Sequence, residues 1–85
     1  MSDRPVAFIT GASQGIGAAT AEEFARRGYD TALLARNKEN LERVAEAVRG
    51  HGGRAAVYPG DLADLEFAES AVEKCAQELG RIDVL

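Results

Sequence analysis

The hydrophobic pattern of this chain switches repeatedly between two kinds of segment. Val6 to Thr10, after Pro5, is a short apolar run with no polar alternation, which predicts a buried strand. Ile16 to Arg27 is longer and rich in alanine. It predicts a helix on which Ile16, Ala19, Thr20, Glu23, Phe24 and Arg27 fall near one face, with Gly28 as its stop. Thr31 to Ala35 is a second apolar strand, expected to be buried on both sides. Lys38 to Val48 repeats the helical pattern, with Leu41, Val44, Ala45 and Val48 at helical spacing, and the Gly50-His51-Gly52-Gly53 cluster ends it. Ala55 to Tyr58 predicts a third, short strand. Leu65 to Leu79 predicts a third helix, striped by Leu65, Ala68, Ala71, Val72, Cys75, Ala76 and Leu79 and stopped by Gly80. Ile82 to Leu85 begins a fourth strand.

This order is β-α-β-α-β-α-β. Strands separated by helices of this length pair in parallel through right-handed crossovers. The expected fold class is therefore α/β: the first half of a doubly wound, Rossmann-type parallel sheet in strand order 3-2-1-4, truncated in the fourth strand. Residues 1–85 read as one partial dinucleotide-binding domain, without linker or repeat.

The first strand-to-helix turn carries the most chemistry. Thr10-Gly11-Ala12-Ser13-Gln14-Gly15-Ile16-Gly17 lies between the first strand and the first helix. Three glycines there let the backbone approach a pyrophosphate, and the helix N-terminus faces that anion with unpaired N–H groups. A P-loop is excluded, because position 16 is Ile and no Lys-Ser/Thr pair follows. The turn therefore reads as a dinucleotide phosphate site.

With this turn the sequence resembles the short-chain dehydrogenase/reductase family, over the whole chain. Thr10 to Gly17 looks like that family's nucleotide-binding motif. Asp61-Leu62 looks like its Asp-hydrophobic pair, and Arg81-Ile82-Asp83-Val84-Leu85 like the lead-in to its fourth strand. The resemblance implies an oxidoreductase that moves a hydride between a nicotinamide dinucleotide and a carbonyl or alcohol substrate. It implies that Gly11, Gly15 and Gly17 line the pyrophosphate turn and that Ser13, Gln14 and Ile16 contact the cofactor. Thr10 would steady the turn through its hydroxyl, and the Asp61 carboxylate, beside Leu62, would bond the adenine amino group. From the residues alone, Ser13 and Gln14 serve equally as solvated turn residues.

The end of the second strand separates NAD from NADP. An NAD site places Asp or Glu there to accept from the ribose hydroxyls. This chain has Ala35-Arg36-Asn37. Asp30 is at the wrong end of the strand to replace the missing acid. Arg pairs bidentately with phosphate and stacks on adenine. The expected cofactor is therefore NADP(H) rather than NAD(H), with Arg36 and Asn37 at the 2′-phosphate; a surface arginine opening a polar loop is the plainer alternative.

Composition narrows the remaining classes. The chain has 46% hydrophobic and 28% charged residues and a net charge of -4, which argues against nucleic acid as a partner. One cysteine excludes an internal disulfide. No apolar run reaches the roughly 20 residues needed to cross a bilayer. No leader pattern precedes the first strand, so the expectation is a cytoplasmic protein.

Other residue types that could do chemistry read as structural. His51 in its glycine cluster is expected to be solvated, and Cys75 to be a small core residue. No metal-ligand spacing is present. The family's catalytic pair is Tyr-x-x-x-Lys, but Tyr29 and Tyr58 are each followed four positions on by leucine, Leu33 and Leu62. Ser2, Ser13 and Ser70 all precede the position of the family's active-site serine. Glu39, Glu42, Glu46, Glu66, Glu69 and Glu73 read as solvated helix faces. The chain is thus expected to be the cofactor-binding N-terminal part of an NADP-dependent oxidoreductase, inactive by itself, from a homo-oligomeric enzyme. A non-catalytic dinucleotide-binding or assembly module is the alternative. A Rossmann-type methyltransferase is disfavoured, since its adenosine ribose also wants an acid at position 35. A sheet ending in a partial strand is further expected to expose an apolar edge and a face without a helix, and hence to be marginally stable or self-associating.

Overall fold

The computed structural model describes residues 4–61 and 63–83. The elements run β1 (Val6–Thr10), α1 (Gly15–Arg26), β2 (Asp30–Ala35), α2 (Lys38–Arg49), β3 (Ala55–Pro59) and α3 (Leu65–Leu79). All are close to the predicted ranges. The strands form one parallel sheet in the order β1-β2-β3, with Val6 beside Asp30 and Thr31 beside Ala55.

Alternation along the strands divides the core in two. Ala7, Ile9, Leu33 and Ala35 point to one face, where Ala21 and Ala25 of α1 and Leu41, Ala45 and Val48 of α2 cover them. Val6, Phe8, Ala32, Leu34 and Tyr58 point to the other, against Ala71, Cys75 and Leu79 of α3. β2 is therefore buried on both faces, as its unbroken apolar run predicts. The expectation of a face without a helix is corrected: α3 lies across it, because its buried stripe is long enough to reach over all three strands.

Two details of the helix patterns also differ. The fully buried side of α1 is its small one, Ala21 and Ala25, while Ile16, Ala19, Thr20 and Glu23 line a shallow outer groove, and Phe24, also lining it, packs half-buried against the core. Small residues win the buried side because they let the helix approach the strands closely. On α3, Leu65 and Ala76 are exposed rather than in the stripe; Leu65 stands in the first turn, beyond the edge of the sheet.

The predicted fourth strand falls partly outside the described residues, at 84 and 85, so the place of β4 in the 3-2-1-4 order is not described. Its lead-in is visible. Asp83 N–H donates to the Val6 carbonyl at 2.8 Å, and Val6 N–H donates to Asp83 Oδ2 at 2.8 Å. Arg81 grips the same carboxylate with Nε and Nη2 at 2.8 and 2.7 Å. These bonds, Arg81 first and the Val6 amide next, hold the Asp83 carboxyl below the usual range.

At the opposite end of the sheet from the Gly-rich turn sits a buried charge. Asp30 is fully buried at the start of β2. Its Oδ1 accepts from Arg4 Nε at 3.0 Å and from the Arg54 amide at 2.9 Å, and its Oδ2 accepts from Arg54 Nε at 2.9 Å. Arg54 also reaches the Glu78 and Leu79 carbonyls at the end of α3. Burial pushes the Asp30 carboxyl up, but the Arg54 amide and the two guanidinium groups outweigh it and hold the carboxyl low. This cluster ties the start of the chain, β2, β3 and α3 together.

Candidate functional site

The candidate site lies at the C-terminal ends of the three strands, where ligands bind in open α/β sheets. β1 runs out at Thr10 and the chain turns through Gly11, whose φ of +63° suits glycine. Ala12 is buried, and its N–H donates to the Leu34 carbonyl at 3.3 Å, which fastens the turn to β2. Gly17 serves a different need. A Cβ there would lie 2.7 Å from the Gly11 carbonyl carbon and 3.1 Å from Ala12 Cα. Only glycine lets α1 come this close to the turn.

The N-terminus of α1 is unlike the other two. Gln14 precedes the helix without a side-chain cap, and no acidic residue lies in the first turn. Asn37 caps α2, and Asp64 caps α3, each accepting from the amide three residues on, with Glu39 and Glu66 in the first turns. The first α1 N–H groups thus keep their donors and positive end for something else.

β2 ends at Ala35, which is buried, and Arg36 follows on the surface. The Arg36 guanidinium makes no hydrogen bond or ion pair with any described residue. Asn37 is partly committed, since its Oδ1 accepts from the Asn40 amide at 2.9 Å. β3 leads to Gly60, whose N–H donates to the Ala35 carbonyl at 2.9 Å. Asp61 follows; its Oδ1 accepts from the Ala63 amide at 2.9 Å.

Together these ends enclose a cleft of about 550 Å³ in which Thr10, Gly11, Ser13 and Gln14 meet Arg36, Asn37 and Asp61. Of the predicted site residues, Gly15, Ile16 and Gly17 do not line it; Ile16 and Gly17 line an adjoining recess that shares Thr10 and Gly11. Gly15 opens α1 with a φ of +58°. Leu62 lies outside the described residues. Two further cleft-lining positions, Leu34 and Gly60, were not among the predicted site residues, although Gly60 directly precedes Asp61 in the motif after the third strand.

The Thr10 hydroxyl makes no hydrogen bond with any described residue; backbone fastens the turn, through Ala12 N–H and the tight Gly11–Gly17 approach.

These observations are joined by the comparison with known proteins. The family model for short chain dehydrogenases matches residues 5–85. The chain belongs to the short-chain dehydrogenase family. An uncharacterised oxidoreductase of Mycobacterium tuberculosis (strain ATCC 25618 / H37Rv) is 46% identical over 83 residues, covering 94% of this chain and 24% of the relative. The short-chain reductase protein NovJ of Streptomyces niveus is 40% identical over 85 residues, covering 100% and 32%. L-sorbose reductase from Gluconobacter frateurii, solved with NADPH and L-sorbose, superposes with a TM-score of 0.88 at 36% identity, over 94% of this chain and 31% of that one. NAD+-bound xylitol dehydrogenase superposes with a TM-score of 0.90 at 37% identity, over 93% and 30%. The chain thus spans from 24% to 32% of the length of these family members. The family fold accommodates both cofactors, so the choice between them rests on local residues.

The other chemically suggestive residues of this dehydrogenase-family chain take structural places. Tyr58 is buried and its hydroxyl donates to Glu78 Oε1 at 2.6 Å; burial first, then Glu78, push its ionisation upward. Tyr29 packs edge-on against Phe24 with ring centres 4.8 Å apart. Cys75 is buried, and burial followed by Glu78 raises its thiol to about 11. His51 is exposed, with Nε2 3.5 Å from Glu22 Oε1. The six helix glutamates named above are all exposed. Among the described residues no group of His, Cys, Asp and Glu could hold a metal, and no helix is long and apolar enough to cross a membrane.

Proposed function

We propose that this chain is the NADP(H)-binding N-terminal part of a short-chain dehydrogenase, an oxidoreductase that reduces a carbonyl or oxidises an alcohol. The observation that carries the reading is the edge of the cleft at β2. Ala35 leaves room where an NAD site needs a carboxylate, and Arg36 stands beside it with no hydrogen-bond or ion-pair partner among the described residues. A ribose 2′-phosphate suits that arrangement in charge and in the bidentate geometry of guanidinium.

The rest of the cleft fits a dinucleotide. Gly11, Gly15 and Gly17 let the diphosphate come close to the uncapped start of α1, where the free N–H groups bind anions. Ser13, Gln14 and Ile16 offer side-chain or backbone contacts beside them. Asn37, with its oxygen engaged in capping, contributes its amide N–H groups near Arg36. Asp61 keeps the adenine amino group as its partner. The nicotinamide, when bound, supplies or accepts the hydride; this chain binds and orients. No Tyr-x-x-x-Lys pair lies within these residues, so the chain alone turns nothing over. For the whole protein the reading implies a small carbonyl or alcohol substrate and a homo-oligomeric, cytoplasmic enzyme.

The test is calorimetric titration of the chain with NADPH and NADH, repeated with Arg36→Ala and Ala35→Asp. A charge-assisted bond contributes about 1.5–3 kcal/mol, so Arg36→Ala should lower NADPH affinity by about 10- to 150-fold and leave NADH nearly unchanged. Ala35→Asp should reverse the preference. An NADPH/NADH affinity ratio unmoved by either substitution would refute the assignment.

A further inference from the structure

The corner between β3 and α3 contains a side chain that touches the cleft only through the backbone. Phe67 stands in the first turns of α3, half-buried and packed against the core that holds Val6 and Phe8. Its ring edge points at Gly60. A Cβ built on Gly60 would lie 2.6 Å from both Cε1 and Cε2 of the ring and closer still to Cζ. Gly60 and Phe67 are therefore one packing unit: glycine at 60 is the space into which the ring fits.

Gly60 and Asp61 line the cleft, whereas Phe67 does not. Gly60 is held from one side by its N–H bond to the Ala35 carbonyl at 2.9 Å. It is held from the other by the ring. Beyond it the chain closes into a tight series of bonds. Asp61 Oδ1 accepts from Ala63 N–H at 2.9 Å, and the Asp61 carbonyl accepts from Asp64 N–H at 3.0 Å. Asp64 Oδ1 in turn accepts from Phe67 N–H at 3.1 Å. The Phe67 backbone thus anchors the end of this series, and its ring anchors the beginning. With both ends on one residue, the height of Asp61 over the cleft depends on that residue's size.

We infer that Phe67 is a positioning residue for the adenine end of the bound dinucleotide, acting through Gly60 and Asp61. This rests on the dinucleotide reading of the cleft. A smaller side chain leaves Gly60 free to sink toward α3 and takes Asp61 out of register with the base. A larger residue at 60 pushes the ring, and the corner moves the other way. The diphosphate end, built from α1 and the Gly-rich turn, does not depend on this corner.

The experiment measures binding of 2′,5′-ADP and of inorganic pyrophosphate to the 85-residue chain, at a temperature where circular dichroism shows every variant folded. The variants are Phe67→Ala, Phe67→Leu, Gly60→Ala and the pair Gly60→Ala with Phe67→Leu. Phe67→Ala and Gly60→Ala should each weaken 2′,5′-ADP by about tenfold and leave pyrophosphate unchanged, since loss of register costs affinity only where the moved group binds. The pair should regain affinity over Gly60→Ala alone, because the shorter Leu makes room for the new Cβ. Wild-type chain that fails to bind 2′,5′-ADP would overturn the dinucleotide reading and this inference with it. Wild-type binding with unchanged affinity in Gly60→Ala, or in a folded Phe67→Ala, would overturn this inference alone. Equal losses for both ligands would do the same, by showing a general loosening. If Phe67→Ala does not fold, the Gly60→Ala variant and its pair decide.

Discussion

Replacing Gly17 by Ala should damage both stability and binding, although alanine is the better helix former. In an exposed helix interior the change gains about 1 kcal/mol. Here the new Cβ would fall 2.7 Å from the Gly11 carbonyl carbon, where ordinary contact begins near 3.4 Å. It would also fall 3.1 Å from Ala12 Cα, so backbone opposes it on two counts and no side chain can swing aside. Overpacking of this kind costs about 1–3 kcal/mol, and an obstacle made of backbone belongs at the upper end. The net loss is about 2 kcal/mol. For a domain of this size that lowers the melting temperature by roughly 8–16 °C. Relief requires the Gly-rich turn to move away from α1, which opens the closest approach to the diphosphate, so NADPH affinity should fall at least about tenfold. Thermal melts followed by circular dichroism, with NADPH titration below the transition, measure both effects. Ala47→Gly, on the exposed side of α2 and far from the cleft, is the control. It should cost about 1 kcal/mol with unchanged affinity. A Gly17→Ala variant that melts at or above the wild-type temperature with unaltered affinity would refute the close-approach argument.

Other consequences can be checked on the same protein. Asp30→Asn should cost about 2–3 kcal/mol in urea unfolding. The carboxylate is fully buried between Arg4 and Arg54, but both arginines retain water contact, which keeps the loss at the low end for a broken buried pair. Because the folded state holds the Asp30 carboxyl low, its contribution is complete above the unfolded value of about 4 and is lost as pH falls through the lower folded value. Urea midpoints measured from neutral to acid pH should therefore decline less steeply below about pH 4 in Asp30→Asn than in wild type. Thr31→Val should be neutral or stabilise by about 1 kcal/mol, since the Thr31 hydroxyl is buried with no partner among the described residues. A clear loss of stability in that variant would mean the hydroxyl is bonded. Cys75, buried with its thiol raised to about 11, should resist maleimide at pH 8 until urea unfolds the chain, and rapid labelling of the native protein would contradict its place under α3.

Much of this molecule is determined locally, and local features are legible in a sequence. Each strand is an unbroken apolar run, and each helix carries its own stop or cap, so the elements and their order follow from periodicity. The Gly-rich turn is legible for the same reason: its glycines answer to constraints among neighbouring residues, and family resemblance then assigns Arg36 and Asp61 to the same cleft. What depends on contacts between distant segments was not readable. The packing side of α1 was decided by how closely it must approach β1 and β2, which favours Ala21 and Ala25 over the larger apolar residues of its outer stripe. Asp30 gave no hint of two arginine partners, one near the chain start and the other just before β3. The pairing of Gly60 with the Phe67 ring, and the cover that α3 gives its whole face of the sheet, likewise exist only once the strands lie side by side. A sequence pattern reports which faces are apolar and where the backbone must bend. Which face meets which neighbour, and at what distance, is decided by volumes that come together only in the folded chain.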